Sequence, residues 1–190
     1  MKHLPTGFDY SRLKYCGDNV YIAGSVVMKN PDLISIGDNV AIDDFCYIST
    51  ALEVGSYVHI APHCSIIGGR DALCVLKDYS GLAVGCRLIC GTDDYLGSGL
   101  LNPMIPSKYR ARLIYKPIVL EKHACLGTNC VIHPGVIVGE GAVVGSYSLV
   151  VKNLEPWHVY VGIPAKATKV RPSEIILQLE KQLREDLLNE

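Results

Sequence analysis

The chain is predicted to be all-β: a parallel β-helix built on a six-residue repeat, interrupted by one long loop and followed by a C-terminal helix. Three observations carry that expectation. Between Leu120 and Val150 an aliphatic anchor recurs at every sixth position, as Leu120, Leu126, Ile132, Val138, Val144 and Val150. A second, mostly small or apolar residue stands four places after each (Ala124, Cys130, Val136, Ala142, Ser148). Elsewhere, every break in the repeat falls after the third member of a trio of anchors. Helices and strands have other periods. A coil with three short faces per turn has a period of six, each face giving one inward anchor and each corner needing a tight turn.

In chain order, a loose first trio is Cys16, Ile22 and Met28, and the turn signal Asn30-Pro31-Asp32 follows it. The repeat resumes at Ile36, Ile42 and Ile48 and keeps its phase through Val54, Ile60 and Ile66. Gly68-Gly69-Arg70-Asp71 inserts four residues, Leu76, Leu82 and Leu88 make the next trio, and residues 89–119 are a long loop insertion. The six anchors above then complete two more trios. All three interruptions are therefore expected to leave from one edge of a triangular prism. The β-helix is assigned to 1–171, with Pro156-Trp157 stopping the repeat. A helix is expected over 172–190, running from Pro172-Ser173 through about Leu188 with Ser173 as N-cap. Its apolar stripe, Ile175, Ile176, Leu179, Leu183 and Leu187, is expected to pack on the coil end or on a neighbouring subunit.

Composition narrows the function classes. The 190 residues suit one domain with a sizeable core. With 18 basic and 19 acidic residues, a net charge of −1 makes no case for nucleic acid. No apolar run is long enough for a membrane span, and Met1-Lys2-His3-Leu4-Pro5 does not read as a signal peptide. Of eight cysteines, Cys46, Cys64, Cys86 and Cys130 fall at the second inward position of a hexad, where a small hydrophobe is wanted. They are read as buried free thiols in a reducing cytoplasm.

Over about residues 16–171 the sequence resembles the left-handed β-helix, hexapeptide-repeat acyltransferases. It is closest to the sugar O- and N-acetyltransferases of bacterial surface-polysaccharide biosynthesis. The resemblance is carried by Gly91-Thr92-Asp93-Asp94-Tyr95-Leu96-Gly97, Asn102-Pro103-Met104-Ile105-Pro106, and Leu154-Glu155-Pro156-Trp157 with Gly162-Ile163-Pro164-Ala165-Lys166. It implies left-handed coiling, where parallel crossovers are ordinarily right-handed. It also implies a homotrimer with acetyl-CoA as co-substrate, no metal, and active sites between subunits, a state that exposed Phe45, Tyr47 and Tyr57 would suit. By the same resemblance the pantetheine arm follows Gly127, Thr128 and Ser146. The adenine and its phosphates meet Val151, Lys152, Lys166 and Lys169.

Acyl transfer from a thioester needs an acceptor nitrogen or oxygen, a place for its proton, and donors toward the oxyanion. Related enzymes carry a catalytic histidine where this chain has Asp93, and no histidine occurs between His63 and His123. An aspartate is a weak base for a sugar hydroxyl, unless repulsion and burial within the pair Asp93 and Asp94 raise one pKa. A neutral amine attacks a thioester unaided, and a carboxylate suits the incoming ammonium. The acceptor is therefore read as the amino group of a nucleotide-linked deoxy amino sugar, with O-acetylation of a sugar hydroxyl as the alternative. Tyr95, Lys108, Tyr109 and Arg110 are candidate contacts for the sugar or its phosphates. His63 and His123 are further substrate candidates, and His59, His63, His123 and His133 are each able to supply a base across a subunit boundary. Two other classes fit less well: a zinc enzyme on the same fold, for which His59 and His63 lack a third ligand in register, and a non-catalytic scaffold, against which the Gly-Ile-Pro-Ala-Lys segment speaks.

Overall fold

In a computed structural model, residues 7–189 are described; the N-terminal stretch read above for a signal peptide lies outside them. The anchors stack in three columns. Cys16, Ile36, Val54, Leu76, Leu120 and Val138 are successive register partners on the first face. Ile22, Ile42, Ile60, Leu82, Leu126 and Val144 stack on the second, and Met28, Ile48, Ile66, Leu88, Ile132 and Val150 on the third. Every strand pair between coils is parallel. The three columns point inward and, with the residues four places on, form one continuous core. All six trios stand as the spacing predicts.

Residues other than glycine take many of the corners. At the third residue after an anchor the backbone enters the left-handed region, as at Asn39 (φ 56), His63 (φ 62), Tyr79 (φ 59), His123 (φ 60) and Asn129 (φ 57). Asparagine tolerates that region through local hydrogen bonds. The aromatic residues there stack on one another between coils: Tyr57 on Tyr79 with ring centroids 5.1 Å apart, Tyr79 on His123 at 5.0 Å, and Phe45 on His63 at 5.1 Å. Of the six core cysteines, Cys46, Cys64, Cys86 and Cys130 form another ladder, each thiol donating to a carbonyl of the next coil, as from Cys64 to Ala83 O at 3.2 Å and from Cys86 to Gly127 O at 3.2 Å. Cys46, Cys64, Cys74, Cys86, Cys90, Cys125 and Cys130 are free thiols.

The interruptions do share one edge. Arg70, in the four-residue insertion, pairs with Asp32 at 2.8 Å and donates to Asn30 at 3.1 Å, both in the earlier break. Two expectations change at the ends. Pro156-Trp157 does not stop the repeat: Leu154 bridges Val138, Trp157 takes the corner, and Tyr160 stacks on Val144 as the anchor of a partial seventh turn. The antiparallel strand Lys166–Val170, laid against His158–Val161, closes the column instead. The helix spans Glu174–Leu188 with Ser173 at the N-cap position, where its side chain makes no capping bond. Ile175, Leu179, Leu183 and Leu187 are exposed rather than packed on the coil end. Polar side chains touch the prism: Glu180 binds Lys122 and His123, and Arg184 hydrogen-bonds Tyr79.

Candidate active site

The long insertion is shorter than the sequence suggested, because strands Arg87–Ile89 and Ile118–Leu120 claim both of its ends. Its root is a two-stranded antiparallel hairpin, Gly91–Asp93 with Leu113–Tyr115. Gly91 is required there: a Cβ would lie 2.8 Å from Gly68 Cα. Two interruptions thus meet backbone to backbone, and the hairpin is held over the third edge of the prism.

Two cavities flank that root. One, of about 580 Å³, has aliphatic walls from Ile67, Ile89 and Ile114 and carries Asp93 and His133 among its polar groups. The other, of about 450 Å³, is lined by Thr92, Asp93, Pro103, Arg110 and Tyr115. Asp93 belongs to both.

Asp94 serves a different purpose from its neighbour. It is buried, accepts from Leu96 N at 2.9 Å, and pairs with Arg112 at 3.3 Å. The Leu96 N–H lowers its pKa most; burial opposes this, while Ser98 and Arg112 lower it further, so it stays below the usual carboxylate value. The expectation that mutual repulsion raises one pKa of the pair is therefore corrected for Asp94. Its partners make it the tie that holds the loop's first turn.

The remaining candidates disperse. Tyr95 borders the larger cavity and accepts a hydrogen bond from Thr92 Oγ1 at 3.0 Å. Lys108 lies over the ring of Tyr109, 4.6 Å from its centroid, outside both cavities. Neither His63 nor His123 reaches them within the chain. His63 stacks on Phe45 along the second edge. His123 is buried between Tyr79 and Trp157, with Nε2 2.6 Å from Glu180, so the expected substrate role for it is corrected to a structural one. Gly127 is compelled by stacking, since a Cβ would lie 2.7 Å from Ser146 N. Thr128 borders a groove of about 390 Å³ on the second face, with Gly81, Ala83 and Val84. Lys166 and Lys169 lie exposed on the closing strand that extends this face. Val151 and Lys152 follow Val150 onto the third edge, one coil beyond His133, whose N–H donates to Val150 O at 3.0 Å. Among the described residues, no group of three or more His, Cys, Asp or Glu is arranged to hold a metal ion, and no helix is long and apolar enough to cross a membrane.

The sequence did not single out Thr92 and Tyr115, and it offered His133 only as a base reaching across a subunit boundary, whereas His133 borders the larger cavity of its own chain. A signal for His133 was present. It directly follows Ile132, the third anchor of its trio, and so stands on the edge from which every interruption leaves.

A three-sided hexad prism, with a loop-built cavity on its third edge and a carboxylate in the wall, has the parts of a hexapeptide-repeat acyltransferase. No protein-family model matches the chain. It is, however, 35% identical over 170 residues, covering 88% of this chain and 86% of the relative, to the dTDP-4-amino-4,6-dideoxy-D-glucose acyltransferase of Escherichia coli. The chain belongs to the CoA-dependent sugar acyltransferases of the left-handed β-helix, hexapeptide-repeat family. A putative lipopolysaccharide biosynthesis O-acetyl transferase, WbbJ of E. coli K12, is 31% identical over 157 residues, covering 75% of this chain and 74% of its own. AntD, an N-acyltransferase from Bacillus cereus solved with dTDP and 3-hydroxybutyryl-CoA, superposes with a TM-score of 0.87 at 34% identity, covering 93% of each chain. A variant of AntD was also solved with dTDP-4-amino-4,6-dideoxyglucose and coenzyme A.

Proposed function

We propose that this enzyme transfers an acetyl group from acetyl-CoA to the amino group of a dTDP-linked 4-amino-4,6-dideoxy sugar, in the cytoplasm, for O-antigen or other surface-polysaccharide synthesis. The observation that carries the reading is the position of Asp93 in the wall of both cavities. A carboxylate there anchors the ammonium of an amino sugar, whereas a hydroxyl acceptor wants a stronger base. Arg110 and Tyr115 offer a cation for the diphosphate and a ring for the base on one side. The aliphatic walls on the other suit a deoxy sugar and an acyl group. Relatives that act on, or were solved with, a dTDP amino sugar support the same acceptor.

The nitrogen attacks the thioester carbonyl, the C–N bond forms, the C–S bond breaks, and CoA leaves as the thiol. Gly127, Thr128, Ser146, Val151, Lys152, Lys166 and Lys169 are proposed to hold the CoA, with a homotrimer supplying the second wall of its groove. Exposed Phe45 and Tyr47 fit such an interface, as free cysteines fit a reducing compartment.

The test is a paired assay with acetyl-CoA, comparing dTDP-4-amino-4,6-dideoxyglucose with dTDP-6-deoxyglucose, its 4-hydroxyl counterpart. The reading expects kcat/KM for the amine to exceed that for the hydroxyl by about 100-fold or more, the scale of one acid–base contribution. Preference for the hydroxyl would favour O-acetylation, and inertness toward both would favour a scaffold.

A further inference from the structure

Within one chain, the third edge carries a short outward column. Ile67 pairs with Ile89 in register, and the next pairs, Arg87 with Val131 and Leu88 with Ile132, put His133 beside Ile89. The histidine N–H is bonded to the coil above, and its side chain is exposed and borders the larger cavity. An imidazole set in an otherwise aliphatic stripe, bordering the cavity that holds Asp93, has no packing role to explain it. Of the other three histidines weighed as bases, His123 is bonded to Glu180, His59 to Asp43 at 2.8 Å, and His63 stacks on Phe45.

We propose that His133 is the proton acceptor of the transfer and Asp93 the anchor of the ammonium, both from the same subunit. The inference rests on the amino-sugar reading above and deepens it. The bound ammonium loses one proton to solvent, and the neutral nitrogen attacks the thioester carbon. The nitrogen becomes positively charged as the C–N bond forms and gives a proton to the His133 imidazole. The C–S bond breaks, and the imidazolium returns that proton to the departing sulfur. The products are amide and thiol, and the protein keeps no proton. A carboxylate is the poorer base for this step, and imidazole is the side chain whose unperturbed titration lies between about pH 5 and 8. The other titratable side chains bordering the cavity are Asp93, Asp94 and Tyr95. Asp94 is tied to Leu96 and Arg112.

The experiment compares wild type, His133→Gln and His133→Ala with acetyl-CoA and dTDP-4-amino-4,6-dideoxyglucose across pH, with melting temperatures as the check on folding. Loss of a general base lowers kcat by about 100-fold or more, with the KM for either substrate little changed. The acid limb of the wild-type kcat profile becomes shallower in both variants, keeping only the part that belongs to the bound ammonium, and added imidazole restores part of the rate to His133→Ala. A side chain that merely shapes the wall would move KM and leave the limb in place. Wild-type kcat and an unaltered limb in His133→Gln would overturn this inference alone. Failure of the wild type to acylate the amino sugar would overturn the acceptor reading, and this inference with it.

Discussion

His123 Nε2 lies 2.6 Å from Oε2 of Glu180, and that contact, rather than an apolar seam, fixes the C-terminal helix on the prism. The same carboxylate binds Lys122 and, at 2.8 Å, Arg184 of its own helix. Burial pushes the Glu180 carboxyl up, but hydrogen bonds from Lys122 and His123 and the charges of Lys122 and Arg184 outweigh it, and its pKa is lowered. Stability from a depressed carboxylate is present above its unfolded-state value and lost as pH falls through the folded one. The helix is therefore expected to undock in acid, below about pH 4. Trp157, the single tryptophan, sits 6.1 Å from His123 and reports the change by fluorescence.

Glu180→Ala should release the same helix at neutral pH. With Lys122 and Arg184 partly exposed, the loss is about 1–2 kcal/mol of docking free energy. Hydrogen exchange of the Glu174–Leu188 amides measures it, and protection equal to wild type would refute the clamp.

Asp94→Asn should loosen the loop without abolishing chemistry. It keeps an oxygen for Leu96 N but loses the charge opposite Arg112. Because the pKa of Asp94 is lowered in the fold, its contribution is complete above about pH 4 and fades below that. Hydrogen exchange over the loop should rise, and kcat/KM should fall by less than for Asp93→Asn.

Gly141→Ala tests the corner geometry. Gly141 has φ 64, and a Cβ there would run into the ring of Trp157. Gly69 has φ 75 but open space around it. Gly69→Ala should cost about 1 kcal/mol, from backbone strain alone. Gly141→Ala should cost about 1–3 kcal/mol more, from overpacking. Denaturant midpoints at one protein concentration compare them.

The prism was legible because each anchor that must point inward is spelled out at fixed spacing, from Cys16 to Val150. The shared edge was legible too, since Arg70 and Asp32 come together once the trios are counted. Handedness came from resemblance alone. Three features lay beyond the pattern. The hairpin pairs Asp93 with Leu113 across a loop whose ends carry no turn signature, so periodicity had nothing to report. The apolar stripe of the helix gives a face but not what meets it, and the polar residue Glu180 makes the contact. Asp93 and Asp94 look equivalent in sequence; only the N–H of Leu96 and the guanidinium of Arg112 separate them.

The most direct test is thiol release by wild type and Asp93→Asn at saturating acetyl-CoA and dTDP-4-amino-4,6-dideoxyglucose. The account predicts that the variant keeps its fold and its affinity for CoA but turns over about 100-fold more slowly, because the amine is no longer held in line with the thioester carbon. Unchanged turnover by Asp93→Asn would contradict it.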